Sequence, residues 1–335
     1  MSKVVVITGG SAGVGRATAE LFASLGWKVG LLARGEGRLA QAADAIRALG
    51  AQASAIPTDV ADAEAVERAA ERIEYELGPI DVWVNNAMAT VFAPVEDITA
   101  EEFRRGTEVT YLGQVHGTMS ALKRMRRRNR GTIVNVGSAL AYRAIPLQSV
   151  YCAAKYAVRG FTDALRSEII HDRLKVHLTM VHLPAVNTPQ FDWALNKMAK
   201  RPQPVPPIFQ PEVAARAIFF AATHRRREVW VGLPTVKAIL ANRIAPGLID
   251  RYLAYKGYDG QLTDEPKPAD APANLFAPAN GDWGAHGRFD SHARDVSVEA
   301  RLDRHRGAIV VGAAALAGLA YLLGGERRST WSRIR

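Results

Sequence analysis

The stretch from Val4 to Gly15, V-V-V-I-T-G-G-S-A-G-V-G, constrains the fold more than any other part of the chain. Its run of branched apolar residues suits a strand buried on both faces. A glycine-rich turn follows at once, and the residues after it continue with helical periodicity. Parallel strands need a long crossover, usually a helix, and a strand passing through a tight turn into a helix is the first half of one. The same alternation recurs over the first 230 residues. Near-continuous apolar runs at 4–8, 29–33, 53–57, 80–85, 132–138, 176–182 and 228–231 alternate with longer helical stretches. Gly26, Gly50 and Gly78 fall where helices should stop. Seven strands and six crossovers predict one doubly wound α/β domain around a seven-stranded parallel sheet.

Composition narrows the chemistry. The single cysteine, Cys152, excludes an intrachain disulfide and a Cys-based metal site, and no two of the eight histidines stand four apart, so no metal is expected. A formal charge of +10 raises two partners, nucleic acid and an anionic membrane surface. The densest basic run, K-R-M-R-R-R-N-R at 123–130, has no interleaved aromatics on which bases could stack. A solvated helix end is the simpler reading of that run, and no nucleic-acid partner is expected.

Segments outside the alternation read differently. The N-terminus shows no signal peptide, since Ser2 and Lys3 lead straight into the first strand. Residues 184–211 contain R-P-Q-P-V-P-P and are too long and Pro-rich for a simple connector, which suggests a lid. The domain is expected to span 1–258. Residues 259–306, with four prolines and no sustained periodicity, read as an extended linker. Residues 307–325 are uncharged and almost wholly apolar, long enough at ~1.5 Å per residue for a hydrocarbon core of ~30 Å. They read as a transmembrane helix, with an Ala/Gly-rich helix at a subunit interface as the competing reading, and 326–335 form a basic tail. The catalytic domain is then expected in the cytoplasm, anchored to the membrane through 307–325.

The glycine turn carries a cofactor reading. Gly9 permits the tight turn, Gly13 a close approach to a pyrophosphate, and Gly15 close packing of helix on strand. Helix N-terminal N–H groups then face the phosphates. At the end of the second strand, Ala33 stands where an acidic residue would bind a free ribose 2′-hydroxyl, and Arg34 follows. A guanidinium there grips a 2′-phosphate, so NADP(H) is expected over NAD(H).

Tyr151 and Lys155, four apart in a helix expected over 150–171, share a face. An adjacent ammonium favours a phenolate and brings tyrosine towards proton exchange at neutral pH. Ser138, at the carboxyl end of the fifth strand, can hydrogen-bond an oxygen on which charge develops.

With these pieces in place, residues 3–232 resemble a short-chain dehydrogenase/reductase. The matching motifs are T-G-x-x-x-G-x-G at Thr8 to Gly15, D-V at Asp59–Val60, N-N-A ending at Ala87, G-S ending at Ser138, and Y-x-x-x-K at Tyr151 to Lys155. The resemblance implies a Rossmann-like fold and a dinucleotide held by Thr8, Gly9, Ser11, Gly13, Val14 and Gly15. It implies that Asp59, Val60 and Asn86 border the adenosine, that Lys155 also binds the nicotinamide ribose, and that Pro184 and Thr188 lie on the nicotinamide side. It further implies a homodimer or homotetramer paired through long helices. Three positions depart from the pattern: Met88 and Ala185 replace glycines, and Thr110 stands where an asparagine holds a water near the active-site lysine. Met88, Phe92, Leu140, Tyr142, Ile145, Leu147, Phe191 and Trp193 are expected to wall an apolar pocket. The expected activity is NADP-dependent interconversion of an apolar secondary alcohol and a ketone. Thr110 gives weight to an alternative, a membrane-tethered NADP(H)-binding sensor or scaffold with little turnover.

Overall fold

In the computed structural model, which describes residues 2–297, the glycine-turn unit lies at the centre of the sheet. The strands are β1 (Val4–Thr8), β2 (Lys28–Ala33), β3 (Ala53–Pro57), β4 (Ile80–Asn85), β5 (Gly131–Ser138), β6 (Val176–Leu183) and β7 (Glu228–Trp230). They run parallel in the order β7-β6-β5-β4-β1-β2-β3. The order reverses between β1 and β4, and the carboxyl ends of those two strands open a cleft, as expected of a switch point.

Helices cover both faces. α1 (Gly13–Ser24), α2 (Glu36–Ala48) and α7 (Pro211–Thr223) form one layer, and α3 (Ala63–Leu77), α5 (Gly113–Arg128) and α6 (Ser149–His171) the other. A short α4 (Ala100–Thr107) leads into α5 through a π turn at Glu108–Leu112 that carries Thr110. Burial on both sides explains the unbroken apolar character of the strands: every residue of β1 is buried. Gly26, Gly50 and Gly78 end their helices with φ of +79°, +81° and +102°. Two central asparagines tie the helices to the sheet. Asn85 Nδ2 donates to Asn135 Oδ1 (2.8 Å) and Thr118 Oγ1 (2.9 Å), and Asn135 Nδ2 donates to Thr162 Oγ1 (2.9 Å). These bonds fix α5 and α6, and with them Thr110, Tyr151 and Lys155, against β4 and β5.

In the basic run at 123–130, Lys123, Arg126, Arg127 and Arg130 are exposed, as a solvated helix end requires, but Arg124 is not. Arg124 is buried at the α3–α5 seam, where Nη1 lies 2.8 Å from Glu67 and Nε 3.1 Å from Glu74. Arg126, Arg128 and Arg130 pair with Asp172, Glu74 and Asp81. Although burial opposes it, hydrogen bonds from Arg124, Lys123 and Ser120 bring the Glu67 pKa down to about 2.

Two expectations are corrected at the C-terminal side. Residues 259–297 are not an extended linker, and the compact unit runs to Ser297. The strand Leu262–Pro266 pairs antiparallel with Lys200–Pro202, and Ala293–Arg294 pairs parallel with Ile208–Phe209. Leu275, Ala279 and Phe289 are buried, and it is this spaced apolar content that holds an aperiodic, Pro-rich segment on the domain. The fold class also loses its transmembrane helix. Among the described residues no helix is long and apolar enough to cross a membrane, and 307–325 lie outside them. The 23-residue α6, the longest described helix, carries Arg159, Asp163, Arg166 and Glu168 and buries one face on the sheet.

Candidate active site

At the β1 end of the cleft, the turn is shaped by contacts that exclude side chains. Gly9 has φ +67°, and a Cβ on Gly15 would stand 2.1 Å from the Gly9 carbonyl oxygen. Thr8 Oγ1 accepts from the N–H groups of Asn86 (2.9 Å) and Ala87 (3.1 Å), and Asn86 Nδ2 donates to the Thr8 carbonyl (3.1 Å). The N-N-A segment after β4 is thereby locked to the glycine turn. Thr188 packs on Gly13, while Ser11, Val14 and Pro184 line the same cleft.

The next stretch of the cleft is crowded with arginines. Arg34, at the end of β2, is not free: its guanidinium donates to the backbone carbonyls of Asn274, Leu275 (3.1 Å) and Phe276 (3.0 Å). Arg105 pairs with Asp59 and donates to the Leu275 carbonyl (3.2 Å). Arg38 stacks on Trp193 at 4.7 Å, and its Nε has no hydrogen-bond partner among the described residues. Burial, and then the neighbouring Arg105, hold the Arg34 pKa below its ordinary value; burial does the same to Arg38. A pocket with three arginines against two carboxylates, Asp59 and Asp282, favours an anion. With the cradle closed to a Cβ, it fits the adenosine phosphates of a dinucleotide.

The far end holds Ser138, Tyr151 and Lys155. Tyr151 and Ser138 line the same cavity; burial pushes the Tyr151 pKa up to about 12, outweighing the Ser138 side chain, which acts to lower it. Ser138 Oγ accepts from the Leu140 N–H at 3.1 Å. The Lys155 ammonium group, fully buried, donates to the Val136 carbonyl at 2.6 Å and lies 5.5 Å from the Tyr151 ring centre. Burial brings the Lys155 pKa down to about 7. The expected depression of the tyrosine by its neighbour is therefore reversed: burial drives both groups towards their neutral forms. Thr110 does not point a free hydroxyl at the lysine. Its Oγ1 donates to the Ala89 carbonyl (2.8 Å) and accepts from the Ala89 N–H (2.9 Å).

The two ends share one cavity of about 750 Å³. Met88, Leu140, Ile145, Phe191 and Trp193 line it as expected. Phe92 instead packs in a cluster with Phe191, Tyr142 turns away to Glu228, and Leu147 is buried behind the wall with its carbonyl accepting from Ala93. Part of the wall comes from α8 (Leu233–Ile244) and α9 (Pro246–Lys256), through Ala241, Ile249, Tyr252 and Leu253. Arg143, also on the wall, is paired with Asp250.

The short chain dehydrogenase family profile matches residues 3–198. The chain belongs to that family. This short chain dehydrogenase is an oxidoreductase, and an uncharacterized Bacillus subtilis oxidoreductase, YxnA, is 33% identical to it over 281 residues, covering 83% of this chain and 79% of the relative. Among solved structures, an alcohol dehydrogenase from Thermococcus sibiricus in complex with 5-hydroxy-NADP superposes with a TM-score of 0.60 at 27% identity, covering 69% of this chain and 96% of its own. A short chain dehydrogenase/reductase from Burkholderia phymatum in complex with NAD gives 0.65 at 27% identity, with 75% and 95% covered.

Sequence reasoning missed several residues of the cleft in this short chain dehydrogenase. Arg38 was within reach, because it stands four residues after Arg34 at the start of α2. Arg105 and the 274–276 carbonyls carry no sequence signal, since only the tertiary fold brings them to Asp59 and Arg34.

Proposed function

We propose that this short chain dehydrogenase interconverts a secondary alcohol and a ketone with NADP(H), using Tyr151 as the proton donor and acceptor. The observation that carries the reading is the convergence of Ser138, Tyr151 and Lys155 at one end of a cleft whose other end is the glycine cradle. When bound, the dinucleotide supplies or takes the hydride. The chain's own part is to hold the substrate oxygen between Ser138 Oγ and Tyr151 Oη and to move one proton there. In the reducing direction the proton passes from Tyr151 Oη to that oxygen, and a pKa of about 12 keeps the donor protonated until the oxygen becomes basic. Ser138 donates to the same oxygen and stabilises its developing charge. Lys155 faces the ribose hydroxyls in this reading, and Thr110 is a positioning residue that clamps the turn after β4.

The arginines favour NADP(H). Arg34 and Arg38 lie on the same edge of the cleft, and a dianionic 2′-phosphate relieves the charge that burial disfavours there. The wall favours an apolar substrate, since its lining is mainly apolar and, of its charges at this end, Arg143 is neutralised by Asp250 while Lys237 lies exposed. Exposed Met119 on α5, with Tyr156 and Ile170 on α6, offers a surface for a homodimer or homotetramer.

The test is NADPH oxidation by the full chain against a panel of apolar ketones and aldehydes, with Tyr151→Phe as control. Turnover abolished by the substitution supports the reading. Turnover that survives it removes Tyr151 from the reaction, and tight NADPH binding without turnover favours a sensor.

A further inference from the structure

Residues 267–287 cross the adenosine end of the cleft as a strap fastened at both ends. On one side the Leu262–Pro266 strand is paired with Lys200–Pro202, and Lys267 N–H donates to the Ala199 carbonyl at 2.8 Å. On the other, Arg288 pairs with Asp192, Phe289 is buried against Phe191, and Asn187 Nδ2 donates to Asp290 at 2.8 Å. Between these anchors the strap satisfies groups that the cofactor reading assigns to phosphates. Carbonyls 274–276 take the Arg34 guanidinium, and the Gly284 carbonyl accepts the Gly13 N–H at 3.0 Å. The Leu275 side chain is fully buried in the core cluster that includes Leu32 and Val60.

Carbonyl oxygens are acceptors, as phosphate oxygens are. With three of its five N–H groups on carbonyls, the guanidinium keeps two, and a 2′-phosphate approaching them would face the carbonyls' negative ends. Likewise the Gly13 N–H has one proton to give, either to Gly284 or to a pyrophosphate oxygen. Two separate points of the cleft are thus capped by the same segment with the same chemistry.

We propose that the 267–287 strap competes with the cofactor's phosphates, so that NADP(H) binding through Arg34 and the glycine turn releases it. This rests on the dinucleotide reading above. The competition is selective: NAD(H) lacks the 2′-phosphate that claims Arg34, and it leaves the Asn274–Phe276 contacts in place. The strap is then a device for cofactor discrimination as well as a cover.

The experiment is hydrogen–deuterium exchange on the full chain, alone and saturated with NADPH or NADH, together with NADPH and NADH titrations of the wild type, Leu275→Ala and Trp283→Ala. Leu275→Ala weakens the buried anchor. Trp283→Ala removes an edge contact with Trp193 and the Trp283 Nε1 bond to the Asn280 carbonyl (2.7 Å) within the strap, and it serves if the first variant fails to fold. The expected result is faster exchange across 267–287 with NADPH, faster exchange only around Gly284 with NADH, and NADPH affinity raised three-fold or more in either variant. Protection of 267–287 by NADPH, or unchanged or weaker NADPH binding in the folded variants, overturns the strap as competitor and makes it a fixed wall of the site. Absence of NADPH and NADH binding in every form overturns the dinucleotide reading, and the proposal with it.

Discussion

The two ends of the cleft are built on different plans. At the Tyr151 end, each polar group is held by the sheet and its crossovers: Lys155 by the Val136 carbonyl of β5, Thr110 by the backbone of Ala89, Ser138 by its own following turn. All lie within one stretch of about 70 residues, wired together by buried hydrogen bonds. At the Arg34 end, the groups are held by a segment some 240 residues further along the chain, mainly through backbone carbonyls. A framework-held site has one arrangement, because moving any group leaves a buried polar atom unpaired. A site held by a strap has two, because whatever replaces the strap's carbonyls can satisfy the same donors.

The comparison breaks most sharply at Tyr151. If the proton passes through its hydroxyl, Tyr151→Phe lowers kcat by about 10²- to 10⁴-fold while NADPH affinity stays within error; steady-state kinetics beside a fluorescence titration checks both. Next comes Arg38, where loss of a charge-assisted bond to a 2′-phosphate weakens NADPH binding in Arg38→Ala by about 10- to 100-fold and leaves NADH unchanged. A matching loss for NADH would remove Arg38 from the phosphate. Thr110→Val leaves the Ala89 N–H and carbonyl unpaired in the interior, and is expected to cost about 1–3 kcal/mol in chemical denaturation. If the loss falls on turnover alone, Thr110 acts on the proton path and not on the turn.

A fourth test is the pH dependence of stability. Lys155 has its pKa lowered from 10.5 to about 7 in the folded protein, so between those values the unfolded chain binds more protons and stability rises with pH. Below about 7 the cost of the buried ammonium is fully present. Denaturation midpoints measured from pH 7 to 10 should climb in the wild type and flatten in Lys155→Met. Equal slopes in both would place the proton elsewhere.

How much of this was legible depends on what each element uses to hold itself. The sheet strands are continuous apolar runs because both faces are covered, and that composition survives in the sequence; β1, β3 and β4 have their expected bounds. Ser138, Tyr151 and Lys155 were legible because their spacing reflects one strand end and one helix face. The segment 259–297 was not, because it has no period and its buried residues, Leu275, Ala279 and Phe289, are spaced by the shape of the surface they cover. The burial of Arg124 within the basic run was illegible for a related reason. Glu67 and Glu74, which neutralise Arg124, lie about 50 residues earlier, and only the packing of α3 on α5 brings them together.

The distance along the chain between Arg34 and Leu275, 241 residues, sets an order of assembly. Contacts so remote in sequence close last, since their loop entropy is met only after the intervening structure exists. During synthesis the glycine turn, β2 and the Tyr151 helix emerge and fold well before the strap is made. A nascent chain therefore presents an open nucleotide cleft before there is any strap to compete for it.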